Sequence, residues 1–283
     1  MRINPISEVK SSPMASVQSP TLPETPEGYG IRGGAEEAGH STLDIGPGLT
    51  VTDLRKSFSS PTGDRIEVLR GASFSAGLGE TVAIMGSSGA GKSTLLHLLG
   101  GLEAADHGSI AAGEFSIDRA NPTELSHFRN NRVGFVFQFH NLLPDLTAAE
   151  NVCFPLIISR TSRREALRRA IRALEDIGLG DRISHPARHL SGGEQQRVAV
   201  CRALITQPVL VLADEPTGNL DTVIGNEIAR SLVSYGRQKG ALVIIATHNR
   251  TLAELCDHVL ILKDGRLSNL QTNLSRPGRE RWE

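Results

Sequence analysis

The sequence predicts an α/β fold built on a mainly parallel sheet, and three observations carry that prediction. Val209-Leu210-Val211-Leu212-Ala213 and Leu242-Val243-Ile244-Ile245-Ala246 are short continuous apolar runs, the pattern of central strands covered on both faces. Each run ends in polar residues, Asp214-Glu215 and Thr247-His248, at the C-terminal edge where open α/β sheets take up ligands. The third is Thr81-Val82-Ala83-Ile84-Met85, which passes through a glycine loop into Leu95-Leu96-His97-Leu98-Leu99 and so reads as strand, loop, helix. At 283 residues and 39% hydrophobic, the chain can bury the core of one large or two small domains.

Residues 1–48 hold six of the 14 prolines, many Ser and Gly, and almost no periodic apolar pattern. Such a composition cannot bury enough surface to offset chain entropy, so a disordered tail is expected, with Met14 as an alternative start. The tail lacks the basic start and apolar core of a secretory signal and is too acidic for a transit peptide. From Leu49 the pattern turns strand-like, through Leu49-Thr50-Val51 to Phe58 and again from Ile66 to Phe74 after a Pro61/Gly63 turn. Phe58 lies upstream of the glycine loop, where an aromatic ring can either fill a core or stack on a base, the latter contributing ~0.5–1.5 kcal/mol beyond burial. Gly77-Leu78-Gly79-Glu80 reads as the turn into the strand before the loop.

The loop itself is Gly86-Ser87-Ser88-Gly89-Ala90-Gly91-Lys92-Ser93-Thr94. Its glycines let successive N–H groups converge on phosphate oxygens, and the helix that follows adds unpaired amides and the positive end of its dipole. Lys92 is placed to reach the β- and γ-phosphates of a nucleoside triphosphate, and the Ser93 hydroxyl to ligate Mg²⁺.

Further on, Val133-Gly134-Phe135-Val136-Phe137 reads as a buried strand ending at Gln138, and Phe139-His140-Asn141-Leu142-Leu143-Pro144 is too apolar for a free loop. Ser162 to Ile177 reads as an amphipathic helix with Leu167, Ala170, Ile171, Leu174 and Ile177 on one face. Arg163, Arg164, Arg168, Arg169 and Arg172 cover much of the rest, a pattern of a solvated face more often than of a nucleic-acid or lipid-headgroup surface. The chain closes with Val259-Leu260-Ile261-Leu262, an Asp264-Gly265 hairpin turn and a polar tail.

Leu190-Ser191-Gly192-Gly193-Glu194-Gln195-Gln196-Arg197 reads as a second helix start, with Ser191 able to cap free amides and two glycines open to a phosphate. Two phosphate-binding helix starts around one γ-phosphate suggest that they come from different copies of the chain. On these residues, in this order with the apolar run into Asp214-Glu215 and the downstream His248, residues 49–268 resemble an ATP-binding cassette (ABC) ATPase.

The resemblance implies the P-loop NTPase fold of that family: a mainly parallel central sheet, an antiparallel N-terminal β subdomain and an inserted helical subdomain at about 145–200, with 269–283 a polar tail. It implies ATP and Mg²⁺ as ligands, with Phe58 stacking on adenine although the family more often has Tyr there. Gly86, Ser87, Ser88, Gly89, Ala90, Gly91, Lys92, Ser93 and Thr94 would hold the phosphates. Ser93, Gln138 and Asp214 would serve the metal, Glu215 would orient and deprotonate the attacking water, and His248 would contact the γ-phosphate. Ser191, Gly192 and Gly193 would bind the γ-phosphate held by a second copy, and Asp221 would reach across that dimer.

Residues 87–102, 137–145 and 212–221 are similar to the ATPases of lipoprotein-releasing transporters. That similarity implies a pair of membrane permease subunits contacted near Phe139–Leu146, and a place on the cytoplasmic face of the inner membrane as a peripheral protein. The long N-terminal tail and Gln195 depart from that sub-family. Gln195 leans towards the related cell-division ATPases that signal through a permease to cell-wall hydrolases, and exporters of macrolides and other small molecules share 212–221.

Composition narrows the alternatives. A formal net charge of −1 offers no positive field for nucleic acid, and one cassette without a sustained heptad does not suit the DNA-repair or translation relatives. Cys153, Cys201 and Cys256 are too far apart in sequence for a metal or redox pair and suit reduced thiols in the cytoplasm. No run of 18 apolar residues occurs, so any membrane span comes from another chain. His185 and His189 have helical ligand spacing, but Pro186 lies between them and no third ligand is evident, which disfavours zinc.

Overall fold

The computed structural model describes residues 48–272, apart from Thr62 and Asn219. The expectations of a disordered tail, an alternative start at Met14 and a polar segment after Thr272 therefore fall outside the described residues. In chain order the elements are β1 (Leu49–Ser59), β2 (Arg65–Ala76), β3 (Thr81–Met85), α1 (Lys92–Leu99), β4 (His107–Ala112), β5 (Phe115–Ser116), α2 (Pro122–Arg132) and β6 (Val133–Val136). There follow α3 (Ala148–Ile158), α4 (Arg163–Asp176), 3₁₀ turns at Gly180–Arg182 and Ala187–His189, α5 (Gly192–Leu204) and β7 (Leu210–Asp214). The last are α6 (Thr222–Lys239), β8 (Leu242–Thr247), α7 (Arg250–Ala253), β9 (His258–Lys263) and β10 (Arg266–Thr272).

Two sheets result. The smaller is antiparallel, in the order β2-β1-β4-β5, and the larger runs β10-β9-β3-β8-β7-β6. In the larger, only the edge strand β10 is antiparallel to its neighbour. The mainly parallel α/β fold expected from the apolar runs is the one observed.

The continuous apolar runs are explained by the faces they serve. Val82, Ile84, Leu210, Leu212, Leu242 and Ile244 point into a core shared with α1 and the smaller sheet. The alternate residues Ala83, Val211, Ala213, Val243 and Ile245 point into a second core closed by α6, α7 and part of α5. With period-two alternation every strand position is then buried, and polar residues have no place until the strand ends. A third core takes its buried residues from 148–205, where α3, α4 and α5 pack through Val152, Leu156, Leu174 and Val198. Pairing of β10 with β9 continues to Thr272 after an irregularity between Ser268 and Gln271. The sheet therefore extends beyond the limit of 268 drawn from sequence, because an edge strand is sustained by backbone hydrogen bonds on one side and asks little of its side chains.

The register of the large sheet lines up the strand ends that matter. Met85 pairs with Thr247, Ala246 with Asp214, and Ala213 with Val136. The glycine loop, Thr247-His248, Asp214-Glu215 and Gln138 thus leave the same edge side by side. No helix among the described residues is long and apolar enough to cross a membrane.

Candidate functional site

The loop between β3 and α1 needs glycine on steric grounds. Gly89 and Gly91 have φ of 77° and 101°, a region that side chains strain. A Cβ on Gly91 would stand 2.8 Å from Val68 Cγ1, and one on Gly86 would stand 2.5 Å from the Leu262 carbonyl oxygen. The helix that follows differs from its neighbours. α2, α3, α4, α5, α6 and α7 each have an N-terminal amide capped by a side chain, whereas α1 has no side-chain cap and no acidic residue in its first turn. Its amides are left for an anion brought from outside.

Lys92 opens α1 and is buried. Its Nζ donates to the carbonyls of Gly86 at 2.9 Å and Ser87 at 3.2 Å, and stands 3.5 Å from Glu215 Oε1. The ammonium is therefore held beneath the loop, where it can meet phosphate charge. Ser93 is exposed at the same helix start, and Thr94 is half-buried.

Across the sheet edge stand the two carboxylates that end β7. Asp214 Oδ1 is buried with no hydrogen-bond partner among the described residues. An orphaned carboxylate oxygen is costly in a protein interior and fits a cation. With the Ser93 hydroxyl on the neighbouring helix start, the donor set is all oxygen, as a hard divalent cation requires.

Glu215 is 9% exposed and sits at φ 43°, a strained setting for a residue with a side chain. Its backbone N–H donates to Ala246 at 2.9 Å, which locks the residue to β8. Its Oε2 accepts from Thr247 Oγ1 at 3.3 Å and from the His248 N–H at 3.4 Å, and its Oε1 lies 2.9 Å from His248 Nδ1. Lys92, Glu215 and His248 thus form one chain of polar contacts, with the imidazole 70% exposed at its open end. Gln138 is exposed at the end of its strand, with Nε2 near the backbone of Gly218 in the loop after Glu215.

Phe58 is 41% exposed and belongs to none of the three cores, so the core-filling alternative is not what the fold uses it for. The Lys56 ammonium lies 5.1 Å from its ring centroid, held by Glu103 Oε1 and the Ala104 carbonyl, each at 2.7 Å.

The second glycine-bearing helix start is elsewhere. Ser191 caps α5 in a reciprocal box: Glu194 N–H donates to Ser191 Oγ at 3.3 Å, and Ser191 N–H donates to Glu194 Oε2 at 2.8 Å. That backbone bond, then the Arg182 guanidinium, holds the Glu194 carboxyl below the usual range. Gly193 packs closely on α6, where a Cβ would stand 2.8 Å from Ile224 Cδ1. Asp221 caps α6, accepting from the Val223 and Ile224 amides at 3.0 Å each.

Among the described residues, no hydrogen bond or ion pair joins Ser191, Gly192, Gly193 or Asp221 to the loop 86–94. The glycine loop and the Ser191 helix start are therefore separate features of the chain. His185 and His189 lie in a turn and a 3₁₀ segment and share no helix face.

Two residues at the site were not singled out from sequence. Thr247 hydrogen-bonds both Glu215 and the Asn249 amide; its signal was its place with His248 at the polar end of an apolar strand, where a role was given to His248 alone. Gln196, 2% exposed, donates to the Pro216 carbonyl at 2.9 Å and ties α5 to the loop after Glu215. A buried glutamine near the start of a helix leaves no periodic trace that marks it.

Comparison with known proteins bears on this geometry. The family model for ABC transporters matches residues 69–218. The lipoprotein-releasing system ATP-binding protein LolD of Syntrophus aciditrophicus is 47% identical over 219 residues, spanning 77% of this chain and 98% of its own length. Its counterpart in Myxococcus xanthus is 47% identical over 220 residues, 78% and 98% of the two chains, and that in Geobacter metallireducens is 45% identical over 219, 77% and 97%. Among solved structures, the dimeric ATP-binding cassette MJ0796 in a post-hydrolysis state with ADP and Pi superposes with a TM-score of 0.76 at 34% identity. It covers 81% of this chain and all of the other.

Proposed function

Because the chain belongs to the ABC transporter family and is its ATP-hydrolysing subunit, we propose that it drives release of lipoproteins from the inner membrane to a periplasmic carrier. The observation that carries this reading is the identity of 45–47% to lipoprotein-releasing ATPases along nearly their whole length. Lipid-anchored cargo needs such a motor, since each buried acyl carbon contributes ~0.8 kcal/mol to membrane retention.

In this reading the amides of 86–94 and Lys92 bind the ATP phosphates, and Phe58 stacks on the adenine. Mg²⁺, when bound at Ser93 and Asp214 with Gln138 nearby, neutralises phosphate charge. Glu215 orients the attacking water and takes its proton, and His248 beside it contacts the γ-phosphate. Phosphoryl transfer asks for positioning and charge stabilisation more than covalent chemistry, which suits a lysine and a carboxylate fixed by backbone and Thr247. Ser191, Gly192, Gly193 and Asp221 complete the site of a second copy, so hydrolysis in one interface lets the pair separate and move what is attached.

The attachment lies just after Gln138. Phe139 and Leu143 are 71% and 44% exposed, and Phe154, Ile157 and Ile158 of α3 are exposed beyond them. Leu142 packs into the third core and holds the segment in place. An apolar patch of this kind on a chain that works beneath a membrane suits the cytoplasmic helices of a permease pair. The chain would then sit as a peripheral protein on the inner face of the membrane.

The test uses a tagged Glu215→Gln variant with ATP present, solubilised from membranes in mild detergent, its companions identified by mass spectrometry. A permease with a large periplasmic domain together with acylated proteins is the expected result. Recovery of a permease with cell-wall hydrolase regulators would replace this reading with signalling in division, and a permease with neither would point to small-molecule export. No membrane protein at all would remove the transporter assignment and leave the ATPase.

A further inference from the structure

Far in sequence from the glycine loop, the arginine-bearing face of α4 is not simply solvated. Arg168, Arg172 and Asp176 recur at four-residue spacing and turn towards α5 and α6, enclosing a groove of about 910 Å³. α6 supplies its own stripe at the same spacing, Glu227, Ser231, Tyr235 and Lys239. The floor is apolar and buried: Val200, Cys201, Ile205 and Ile228 are each 8% exposed or less.

The rim is strongly positive. Six lining side chains are cationic and only Asp176 and Glu227 are carboxylates, on a chain whose formal net charge is −1. Some of those cations are already engaged. Arg168 pairs with Glu165 at 2.7 Å, Arg169 donates to the Ile205 carbonyl at 2.9 Å, and Arg197 stands 3.9 Å from Glu227. Arg197 Nε remains buried without a partner. Arg172, Arg230 and Lys239 have no ion pair or hydrogen bond among the described residues and are exposed.

We propose that this groove binds an anionic amphiphile, with its carboxylate or phosphate head on the free cations of the rim and an acyl chain along the floor. Apolar floor and cationic rim together call for that chemistry: a bare anion leaves the floor wet, and a neutral apolar ligand leaves the cations unanswered. The volume lies within the ~300–1,000 Å³ of small-molecule pockets. A whole helix, about 10–12 Å across, could seat little more than its side chains there. The ligand can be a free fatty acid or an anionic membrane lipid, since both join a negative head to an acyl chain.

The groove also joins two separately packed bodies. α4 belongs to the core whose buried residues span 148–205, α6 belongs to the core beneath the large sheet, and α5 contributes to both. An occupant touches all three helices and fixes their relation.

The test uses the full chain and the double variant Arg172→Glu/Arg230→Glu, whose exposed, unpartnered positions leave the fold and the basal ATP turnover unchanged. Binding is measured by calorimetry with oleate below its micelle concentration, with octanoate, with inorganic phosphate, and with sedimenting vesicles of phosphatidylglycerol. Oleate is expected to bind saturably at one per chain, at least tenfold tighter than octanoate, and to be weakened at least tenfold by the double variant. Vesicle binding that the variant abolishes, with free oleate inactive, would keep the proposal and assign the ligand to membrane lipid. Equal binding of oleate to both proteins overturns it, as does phosphate binding as tightly as oleate. An acidic amphipathic peptide that binds where neither oleate nor vesicles do overturns it in favour of a protein partner.

Discussion

Glu215 gathers more constraints than any other side chain near the glycine loop. It holds a left-handed backbone angle, a backbone bond to β8, and contacts with Lys92, Thr247 and His248. Replacing it with glutamine keeps shape and removes the base. Glu215→Gln is expected to bind ATP normally and to hydrolyse it about 10²–10⁴-fold more slowly, the range for loss of a general base; single-turnover assays would show it, and near-normal turnover would refute the role. Phe58 makes a smaller claim. With one side covered by Lys56 and the ring half-exposed, Phe58→Ala should raise KM for ATP by about 2–10-fold, the equivalent of ~0.5–1.5 kcal/mol of stacking, with kcat retained. Steady-state kinetics separate the two parameters, and Phe58→Tyr should restore KM. The carboxylates at 214 and 215 were visible in sequence because chemistry follows immediately on an apolar strand. Thr247 as a partner of Glu215 was not, because only the register of β7 on β8 brings them together.

Elements begin with caps, and those caps are sensitive to acid. Glu150 at the start of α3 and Glu194 at the start of α5 each accept from the backbone of their cap residue, and that bond first of all pulls each carboxyl below its ordinary 4.5. A depressed folded value contributes stability that is present above the unfolded value and lost as pH falls through the folded one. Urea midpoints should therefore hold down to about pH 5 and fall below ~4.5, and Glu194→Gln should flatten part of that fall. An unchanged slope would show that the cap carboxylate carries no such stability.

The cap at Ser191 was legible as a residue type that accepts from free amides. α3 was hidden: Pro155 sits inside it, and its exposed Phe154, Ile157 and Ile158 blur the amphipathic pattern. β10 ran past its expected end because pairing resumes after a bulge in polar sequence.

At the scale of the whole molecule, three cores divide the labour. The sheet cores hold the glycine loop, Asp214 and Glu215, and the helical core carries the second glycine-bearing start at Ser191. If the glycine loop and that helix start meet across two copies, Glu215→Gln with ATP should elute from a sizing column at twice the monomer mass and return to monomer when ATP is removed. Ser191→Arg, a bulky cation at the α5 start, should abolish that shift while leaving single-chain ATP binding intact. The partition into cores could not be read from the chain, since α5 serves two of them through residues a turn apart. The parallel sheet could be read, because its strands are apolar on both faces.

The position of β3 has a consequence for how the protein is made. Its neighbours on both sides, β8 and β9, are encoded near the far end of the chain. A nascent chain on the ribosome carries the strand before the glycine loop without a pairing partner until Leu242 has been added. At about 5–20 residues per second that delay is on the order of 8–30 s, during which an apolar strand waits for its place. The nucleotide pocket is therefore among the last features to exist during synthesis, although its loop is among the first to be translated.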